Sequence, residues 1–208
     1  LCLQDDIADR TLKMLAGAMQ ELKVGDPALI ETDIGPAIDS DALKQLESHI
    51  AKMKREAKLV AAVPLPQGLP AGGFYIAPHA FEIGSIAALE REVFGPVLHV
   101  VRFPGAKLEA LVDAINATGY GLTLGVHSRL DSTVERVRAR ARAGNIYVNR
   151  GMIGAVVGVQ PFGGEGLSGT GPKAGGPLYV SRFAVERAVS INTAAAGGNA
   201  ALMALGEE

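Results

Sequence analysis

The residues with the clearest chemical potential are Glu92 and Phe94, in the run Glu92-Val93-Phe94-Gly95-Pro96. Pro96 keeps Gly95 out of helical conformation, so the run is predicted to form an exposed turn just before a buried strand. A carboxylate in such a turn can accept hydrogen bonds from sugar hydroxyls, and an aromatic face can lie against a planar ring. On the residues alone, a solvated Glu92 and a Phe94 in the core is the simpler interpretation, and it stays open.

A second stretch with chemical potential runs from Asn149 to Pro177 and is dense in glycine. Glycine lets a backbone approach a ligand closely and turn its N–H groups toward an anion. Apolar residues such as Ile153, Phe162 and Leu167 are expected to anchor the stretch to the body of the protein. The pattern predicts a loop that grips a ligand, and the alternative is a plain glycine-rich surface loop.

The elements that must position these residues alternate between helices and strands. Apolar residues at helical spacing, among them Leu12 and Met19, predict a first helix capped by Asp5 or Asp6. A second helix is predicted from about Ser40, as its cap, to residue 57. The predicted strands are 59–63, 97–101, 122–127 and 145–149.

Two further helices complete the predicted pattern. One covers 108–116, and the other begins with a capping box of Ser132 and Glu135 and ends at a left-handed cap on Gly144. The alternation predicts an α/β fold, a mostly parallel sheet flanked by helices, with ligands at loops beyond the carboxyl ends of the strands. Residues 178–191 are predicted to form a strand pair or arm.

Composition argues against several classes of function. The chain has 208 residues, 48% of them apolar, and a formal net charge of −2. Nothing in it indicates a nucleic-acid surface, which needs clustered Lys and Arg. The densest basic run, Arg136 to Arg142, is interpreted as a solvated helix face, with a phosphate-binding patch as the alternative. No apolar run is long enough to span a bilayer, and no signal peptide opens the sequence.

Cysteine and histidine do not indicate a metal or thiol site. The one cysteine, Cys2, allows no internal disulfide, fits a reducing compartment and is expected to be a small buried hydrophobe. The four histidines, at 49, 79, 99 and 127, lack metal-ligand spacing. No metal site is predicted.

Three motifs in order give the chain a family resemblance. The runs 92–97, 145–149 and 161–169 resemble the C-terminal landmarks of the aldehyde dehydrogenase superfamily. Gly154-Ala155, the run 159–162 and the run 173–177 are similar to the L-glutamate γ-semialdehyde dehydrogenases, also called 1-pyrroline-5-carboxylate dehydrogenases. The runs 190–193 and 197–200 resemble the aldehyde dehydrogenase module of bacterial proline utilisation A, which also carries a flavin-dependent proline dehydrogenase.

The resemblance implies roles for five residues. Glu92 matches the residue that holds the nicotinamide ribose of NAD, and Phe94 matches the one that packs beside the nicotinamide. Gly154 and Ala155 match the loop whose N–H groups bind the substrate α-carboxylate. Phe162 matches an aromatic that lines the aldehyde pocket.

The resemblance also implies what the chain lacks. The family's nucleophilic Cys, general-base Glu, oxyanion-hole Asn and Rossmann half are expected upstream of Leu1, and Cys2 matches a structural position. No catalytic residue is therefore expected in this chain. We expect it to be a fragment without dehydrogenase activity of its own.

We predict that residues 1–177 form part of an aldehyde dehydrogenase catalytic domain, 178–193 an oligomerisation β arm and 194–208 a tail of small residues. The parent is expected to be a cytoplasmic homo-oligomer that oxidises L-glutamate γ-semialdehyde to L-glutamate with NAD. FAD is expected only if a proline dehydrogenase half exists. The alternatives are an aldehyde dehydrogenase of other specificity and a non-catalytic oligomerisation domain.

Overall fold

The computed structural model describes residues 1–156, 158–169 and 171–192, together with Ala195 and Ala204. The α-helices are α1 (Asp5–Gln20), α2 (Ser40–Glu56), α3 (Leu108–Ala117) and α4 (Asp131–Arg140). The strands are β1 (Cys2–Gln4), β2 (Lys58–Ala62), β3 (His79–Glu82), β4 (Val97–Phe103), β5 (Tyr120–Gly121), β6 (Thr123–Val126), β7 (Asn145–Val148) and β8 (Glu165–Gly166). Short 3-10 helices cover Ile86–Ala88, Gly105–Lys107 and Val180–Phe183.

The main sheet has four strands in the order β1-β4-β3-β2. β4 runs parallel to both β1 and β3, and β2 is antiparallel to β3 at the edge. Away from this sheet, β6 pairs parallel with β7 and β5 pairs antiparallel with β8. The predicted α/β class is confirmed, as a mixed sheet with helices. The strand β3 was not predicted, because its four residues follow directly on a run broken by Pro and Gly.

The core lies between the main sheet and the helices α1 and α2. Ile50 and Met53 on the inner face of α2 pack against Phe81 and Val101 of the sheet. On α1, Leu12 packs with Leu3 and Val100. Burying each large apolar side chain in this way contributes about 1.5–3 kcal/mol. The helical spacing of apolar residues therefore predicted the buried faces of both helices correctly.

The predicted caps at the starts of the first two helices are corrected. The carboxylate of Asp39, not the hydroxyl of Ser40, caps α2, because it accepts hydrogen bonds from the N–H groups of Asp41 and Ala42 at 3.0 and 2.7 Å. The cap position of α1 is Gln4, whose side chain makes no capping bond. Asp5 and Asp6 instead lie in the first turn, where a negative charge interacts favourably with the helix dipole.

Both predicted ends of α4 are also corrected. Its cap position is Leu130, which makes no side-chain capping bond, so Ser132 and Glu135 do not form a capping box. The helix ends at Arg140 and the chain continues extended through Ala141, and Gly144 lacks the positive φ of a left-handed cap. Gly144 serves another purpose: a Cβ there would overlap the carbonyl oxygen of Gly163.

The basic run of α4 is neutralised by carboxylates of its own surroundings. Arg136 Nε donates to Glu109 at 2.6 Å and Arg140 Nε donates to Asp113 at 2.6 Å, so both arginines join α4 to α3. The hydrogen bond from Arg140 lowers the pKa of the Asp113 carboxyl. Arg138 pairs with Glu135 in the same way, so the three arginines on α4 are paired and solvated, which favours the interpretation as a solvated helix face over a phosphate-binding patch.

The segment expected as a β arm does not form strands in the described part of this chain. Residues 178–192 contain one 3-10 helix, Val180–Phe183, followed by chain without a strand. A strand needs a partner for its N–H and C=O groups, and among the described residues no strand is paired with this segment. The predicted tail, 194–208, lies outside the described residues except for Ala195 and Ala204. None of the described helices is long and apolar enough to cross a membrane.

Candidate functional site

Glu92 and Phe94 lie in an exposed turn beside α2, as predicted. They line a cleft of about 270 Å³ whose other walls come from residues 39–46 of the α2 start and from Arg91 and Val93. The Phe94 ring is 88% exposed, so the alternative of a core phenylalanine is wrong. Both side chains are free to face a ligand.

The backbone of this turn is held close to α2 and to the sheet. A Cβ on Gly95 would overlap the side chain of Leu46 on α2, so only glycine lets the turn lie this close. The carbonyl oxygen of Pro96 accepts a hydrogen bond from the N–H of His79 at 3.0 Å, which ties the turn to β3. The exposed Phe94 therefore stands on a fixed backbone.

The glycine-rich stretch is attached to the protein by polar groups. Asn145, at the start of β7, donates from Nδ2 to the Pro161 carbonyl at 2.9 Å and accepts from the Gly163 N–H at 3.2 Å. Lys173 Nζ donates to the Gly144 carbonyl, and Ser168 Oγ accepts from the Gly121 N–H at 3.2 Å. These contacts hold Pro161, Gly163, Ser168 and Lys173 against the β5–β7 region.

The predicted apolar anchors of this stretch are largely wrong. Ile153 is 98% exposed and Leu167 is 71% exposed in this chain. Phe162 is half-buried, and its N–H and carbonyl pair with those of Ala174 at 3.0 and 2.9 Å. The composition predicted that apolar side chains attach the glycine-rich stretch to the protein. In the structure, a side-chain amide and backbone pairing attach it instead.

Asn149 directs the chain from β7 into the loop. Its φ of 53° lies in the left-handed region, which asparagine tolerates better than most residues. Its Oδ1 accepts from the Ser128 N–H and its Nδ2 donates to the Ser128 carbonyl, both at 2.9 Å. The side-chain amide of Asn149 thus extends the β6–β7 pairing to Ser128, while the left-handed backbone of Asn149 turns the chain away from the strand.

The loop that follows contains Gly154 and Ala155. Gly154 is exposed and Ala155 is half-buried. Among the described residues, no acceptor is paired with the N–H of either residue. Just beyond them, the Gln160 side chain accepts from the Val156 N–H at 3.2 Å and the Gln160 N–H donates to the Val156 carbonyl at 2.9 Å, which closes the loop on itself.

The five predicted site residues occupy two separate surroundings. Glu92 and Phe94 share the cleft beside α2, whose lining does not include Gly154, Ala155 or Phe162. The described structure thus brings the first two together and leaves the other three in the glycine-rich stretch that follows β7.

Cys2 is half-buried and packs against the core cluster of Met53 and Phe81, as expected of a small hydrophobe. Burial raises the pKa of its thiol, which disfavours the thiolate that a nucleophile needs. Within the described ranges, no group of three or more His, Cys, Asp or Glu could hold a metal ion.

Residues 1–189 match the sequence profile of the aldehyde dehydrogenase family. The chain belongs to the aldehyde dehydrogenase family. The bifunctional protein PutA of Escherichia coli is 55% identical over 191 residues, which are 90% of this chain and 14% of that protein. This chain therefore spans about a seventh of the length of that relative.

Solved structures of family members have the same fold. A crystal structure of Bradyrhizobium japonicum Proline Utilization A superposes with a TM-score of 0.85 at 58% identity, covering 94% of this chain and 20% of that one. A Thermus 1-pyrroline-5-carboxylate dehydrogenase with bound NAD superposes with a TM-score of 0.78 at 36% identity, covering 88% of this chain and 35% of that one. The family resemblance inferred from three motifs is confirmed.

The asparagines at the two ends of the β7 region were missed as positioning groups. Asn145 and Asn149 both use their side-chain amides as a donor and an acceptor toward a neighbouring backbone. Their signal in the sequence is position: asparagine is depleted within strands, so two of them flanking Ile146-Tyr147-Val148 indicate a task other than strand formation.

Proposed function

We propose that this chain forms the substrate- and cofactor-facing part of a dehydrogenase that oxidises L-glutamate γ-semialdehyde to L-glutamate with NAD. The observation that carries the proposal is the pair of adjacent backbone N–H groups, of Gly154 and Ala155, with no acceptor among the described residues. The names of the PutA and 1-pyrroline-5-carboxylate dehydrogenase relatives support the same substrate.

Adjacent N–H groups in a glycine-containing loop can hold a carboxylate. Two such donors can hold an anion without a Lys or Arg at the same place. The described residues give no reason for glycine at 154, because its φ is not positive and a Cβ there would meet none of their atoms within 4 Å. A ligand that comes close to the backbone gives this position a reason to be glycine.

The cofactor contacts are assigned to the cleft beside α2. The exposed Glu92 carboxylate can accept hydrogen bonds from ribose hydroxyls, and the exposed Phe94 ring can pack beside a flat nicotinamide ring. These residue types fit NAD, which when bound supplies the hydride acceptor for the oxidation. The turn that carries both residues is held by Gly95 and Pro96, so the contacts are preorganised.

Phe162 is assigned to the aldehyde side of the site. Its half-buried ring stands on a backbone paired with Ala174, so it can cover the methylene chain of the substrate and keep water from the reacting carbon. Cys2 is not proposed as the nucleophile, because its buried thiol has a raised pKa. In this proposal the chain itself binds, orients and shields the reactants.

Assembly is proposed to involve the segment 178–193. Its apolar side chains Leu178, Val180, Phe183, Val185, Val189 and Ile191 are all exposed in the single chain. An exposed apolar segment of this kind favours contact with a second copy. The division into 1–177, 178–193 and 194–208, a cytoplasmic location, and FAD in a whole protein with a proline dehydrogenase half stay predictions.

The substrate assignment can be tested at Ala155 in the whole protein. We expect Ala155→Leu to raise KM for the semialdehyde on the order of 10-fold or more, because the larger side chain crowds the carboxylate, while NAD affinity is unchanged. Ala71→Leu, the same change in a different exposed loop, serves as the control. An unchanged KM, or an equal loss of NAD affinity, contradicts the assignment.

A further inference from the structure

The side-chain amide of Asn145 holds the backbone on both sides of Phe162. Its Nδ2 donates to the carbonyl of residue 161 at 2.9 Å, and its Oδ1 accepts from the N–H of residue 163 at 3.2 Å. The N–H and carbonyl of Phe162 itself pair with Ala174. Four consecutive backbone polar groups around this aromatic are therefore hydrogen-bonded, which restricts the backbone beneath its ring.

The support for this amide comes from the sheet. Asn145 begins β7, pairs in register with Thr123 of β6, and its own N–H donates to the Leu122 carbonyl at 3.1 Å. The preceding Gly144 has its carbonyl bonded by Lys173 and lies so close to Gly163 that a side chain could not fit. The backbone that carries the Asn145 amide is therefore held by β6, and the backbone at Gly163, which the amide contacts, is packed tightly against Gly144.

We infer that Asn145 is a positioning residue. It holds Phe162 in place relative to the β6–β7 sheet and so determines the length of the aldehyde chain that the site accepts. This inference rests on the proposed role of Phe162 in covering the substrate. An aromatic side chain that lines a pocket discriminates between aldehydes differing by one methylene only if it cannot move aside. The residues behind it that hold it in place therefore determine how strongly the pocket discriminates.

The chain contains a matched control for this inference. Asn116 makes the same double contact elsewhere: its Nδ2 donates to the Arg140 carbonyl at 2.9 Å and its Oδ1 accepts from the Arg142 N–H at 2.8 Å. Asn116 is also half-buried, and it supports the end of α4, not the stretch around Phe162. Asn116→Ala therefore removes two equivalent hydrogen bonds without touching the predicted pocket.

The test uses the whole protein and four variants: Asn145→Ala, Phe162→Ala, the double variant and Asn116→Ala. Rates are measured with NAD and straight-chain aldehydes of increasing length, as well as with glutamate γ-semialdehyde. We expect Asn145→Ala to raise KM for the preferred aldehyde on the order of 10-fold, to reduce the preference over an aldehyde one carbon longer, and to change kcat little. The double variant should be no worse than Phe162→Ala alone, because Asn145 acts through Phe162.

A second readout does not depend on which aldehyde is the substrate. Amide hydrogen exchange at residues 162 and 163 should accelerate at least about 10-fold in Asn145→Ala and stay unchanged in Asn116→Ala. If the whole protein ignores the semialdehyde but keeps this exchange pattern and the loss of length preference with another aldehyde, the proposed substrate fails and the inference holds. Additive KM effects in the double variant, equal KM effects of the two asparagine variants, or unchanged exchange in Asn145→Ala would overturn it.

Discussion

The Nε2 atoms of His49 and His99 lie 2.8 Å apart and join α2 to β4. The ring centroids are 5.0 Å apart and the planes cross at 76°, so the two rings meet nearly head-on through these nitrogens. One ring must donate and the other accept, so the accepting imidazole has to be neutral. This geometry suits a shared proton and does not suit two nitrogens converging on a metal.

Acid is expected to weaken this contact. Burial first, and then the charges of His49 and the amino terminus, together lower the pKa of His99 to about 4. Burial, together with Lys52 and Arg91, lowers the pKa of His49 as well. Because the unfolded chain takes up protons at higher pH than the folded chain does, the pair stabilises the fold above pH ~6.5 and loses its contribution as the pH falls toward 4.

The free energy of unfolding, measured by urea denaturation between pH 7 and 4, checks this prediction. We expect a loss on the order of 1–2 kcal/mol over that range, since solvent screening reduces the effect of a half-exposed pair. His99→Gln should flatten the pH dependence, and His127→Gln, at an exposed position, should leave it as it is. An unchanged slope in His99→Gln would contradict the assignment to this pair.

The cap of α2 provides a prediction about stability. Asp39→Ala removes the acceptor for two N–H groups at the start of the helix, so we expect it to lower the free energy of unfolding by about 1 kcal/mol. Asp39→Asn should retain most of the stability, because asparagine is an equally good cap. Ser40→Ala is the control and should have little effect; a larger loss there than in Asp39→Ala would show that the cap is misassigned.

Tyr147 carries a buried hydroxyl whose oxygen has no hydrogen-bond partner among the described residues. The residue is 5% exposed, so the hydroxyl has been removed from water without a replacement contact from them. We therefore expect Tyr147→Phe to keep the melting temperature or raise it, with a gain of up to about 1 kcal/mol. A destabilisation of more than about 1 kcal/mol would show that the hydroxyl has a stabilising partner outside this set of contacts.

Two phenylalanines separate a binding role from a packing role. Phe94 is 88% exposed and Phe81 is fully buried at 0%. Phe94→Ala should change the free energy of unfolding by less than about 0.5 kcal/mol but weaken NAD binding by the whole protein. Phe81→Ala should cost about 3–5 kcal/mol because it opens a cavity in the core. Unchanged NAD affinity in Phe94→Ala would remove Phe94 from the cofactor site.

Sequence patterns predicted the features that depend on periodicity or on a motif. The buried faces of α1 and α2 followed from apolar spacing, and the family followed from three motifs in order. The exposed turn of Glu92 and Phe94 followed from Pro96, because proline restricts the residue before it.

The features that sequence patterns did not predict depend on specific contacts between atoms in the folded structure. The choice between Asp39 and Ser40 as a cap rests on a shift of one residue, and Gly144 is explained by the approach of Gly163, which is distant in sequence. The same holds for Asn145, whose partners lie 16 and 18 residues further along the chain. Composition assigned the attachment of the glycine-rich stretch to apolar residues, because it does not show which side-chain amides lie nearby.

The central claim, a site built for an aldehyde that carries an α-carboxylate, is tested most directly by a comparison of two substrates. NADH formation by the whole protein should be followed with L-glutamate γ-semialdehyde and with pentanal, which has five carbons as well but neither the α-carboxylate nor the α-amino group. We expect a kcat/KM at least about 100-fold higher for the semialdehyde, because pentanal leaves the N–H groups of Gly154 and Ala155 unpaired. Equal kcat/KM values for the two aldehydes, or no NADH from the semialdehyde, would contradict it.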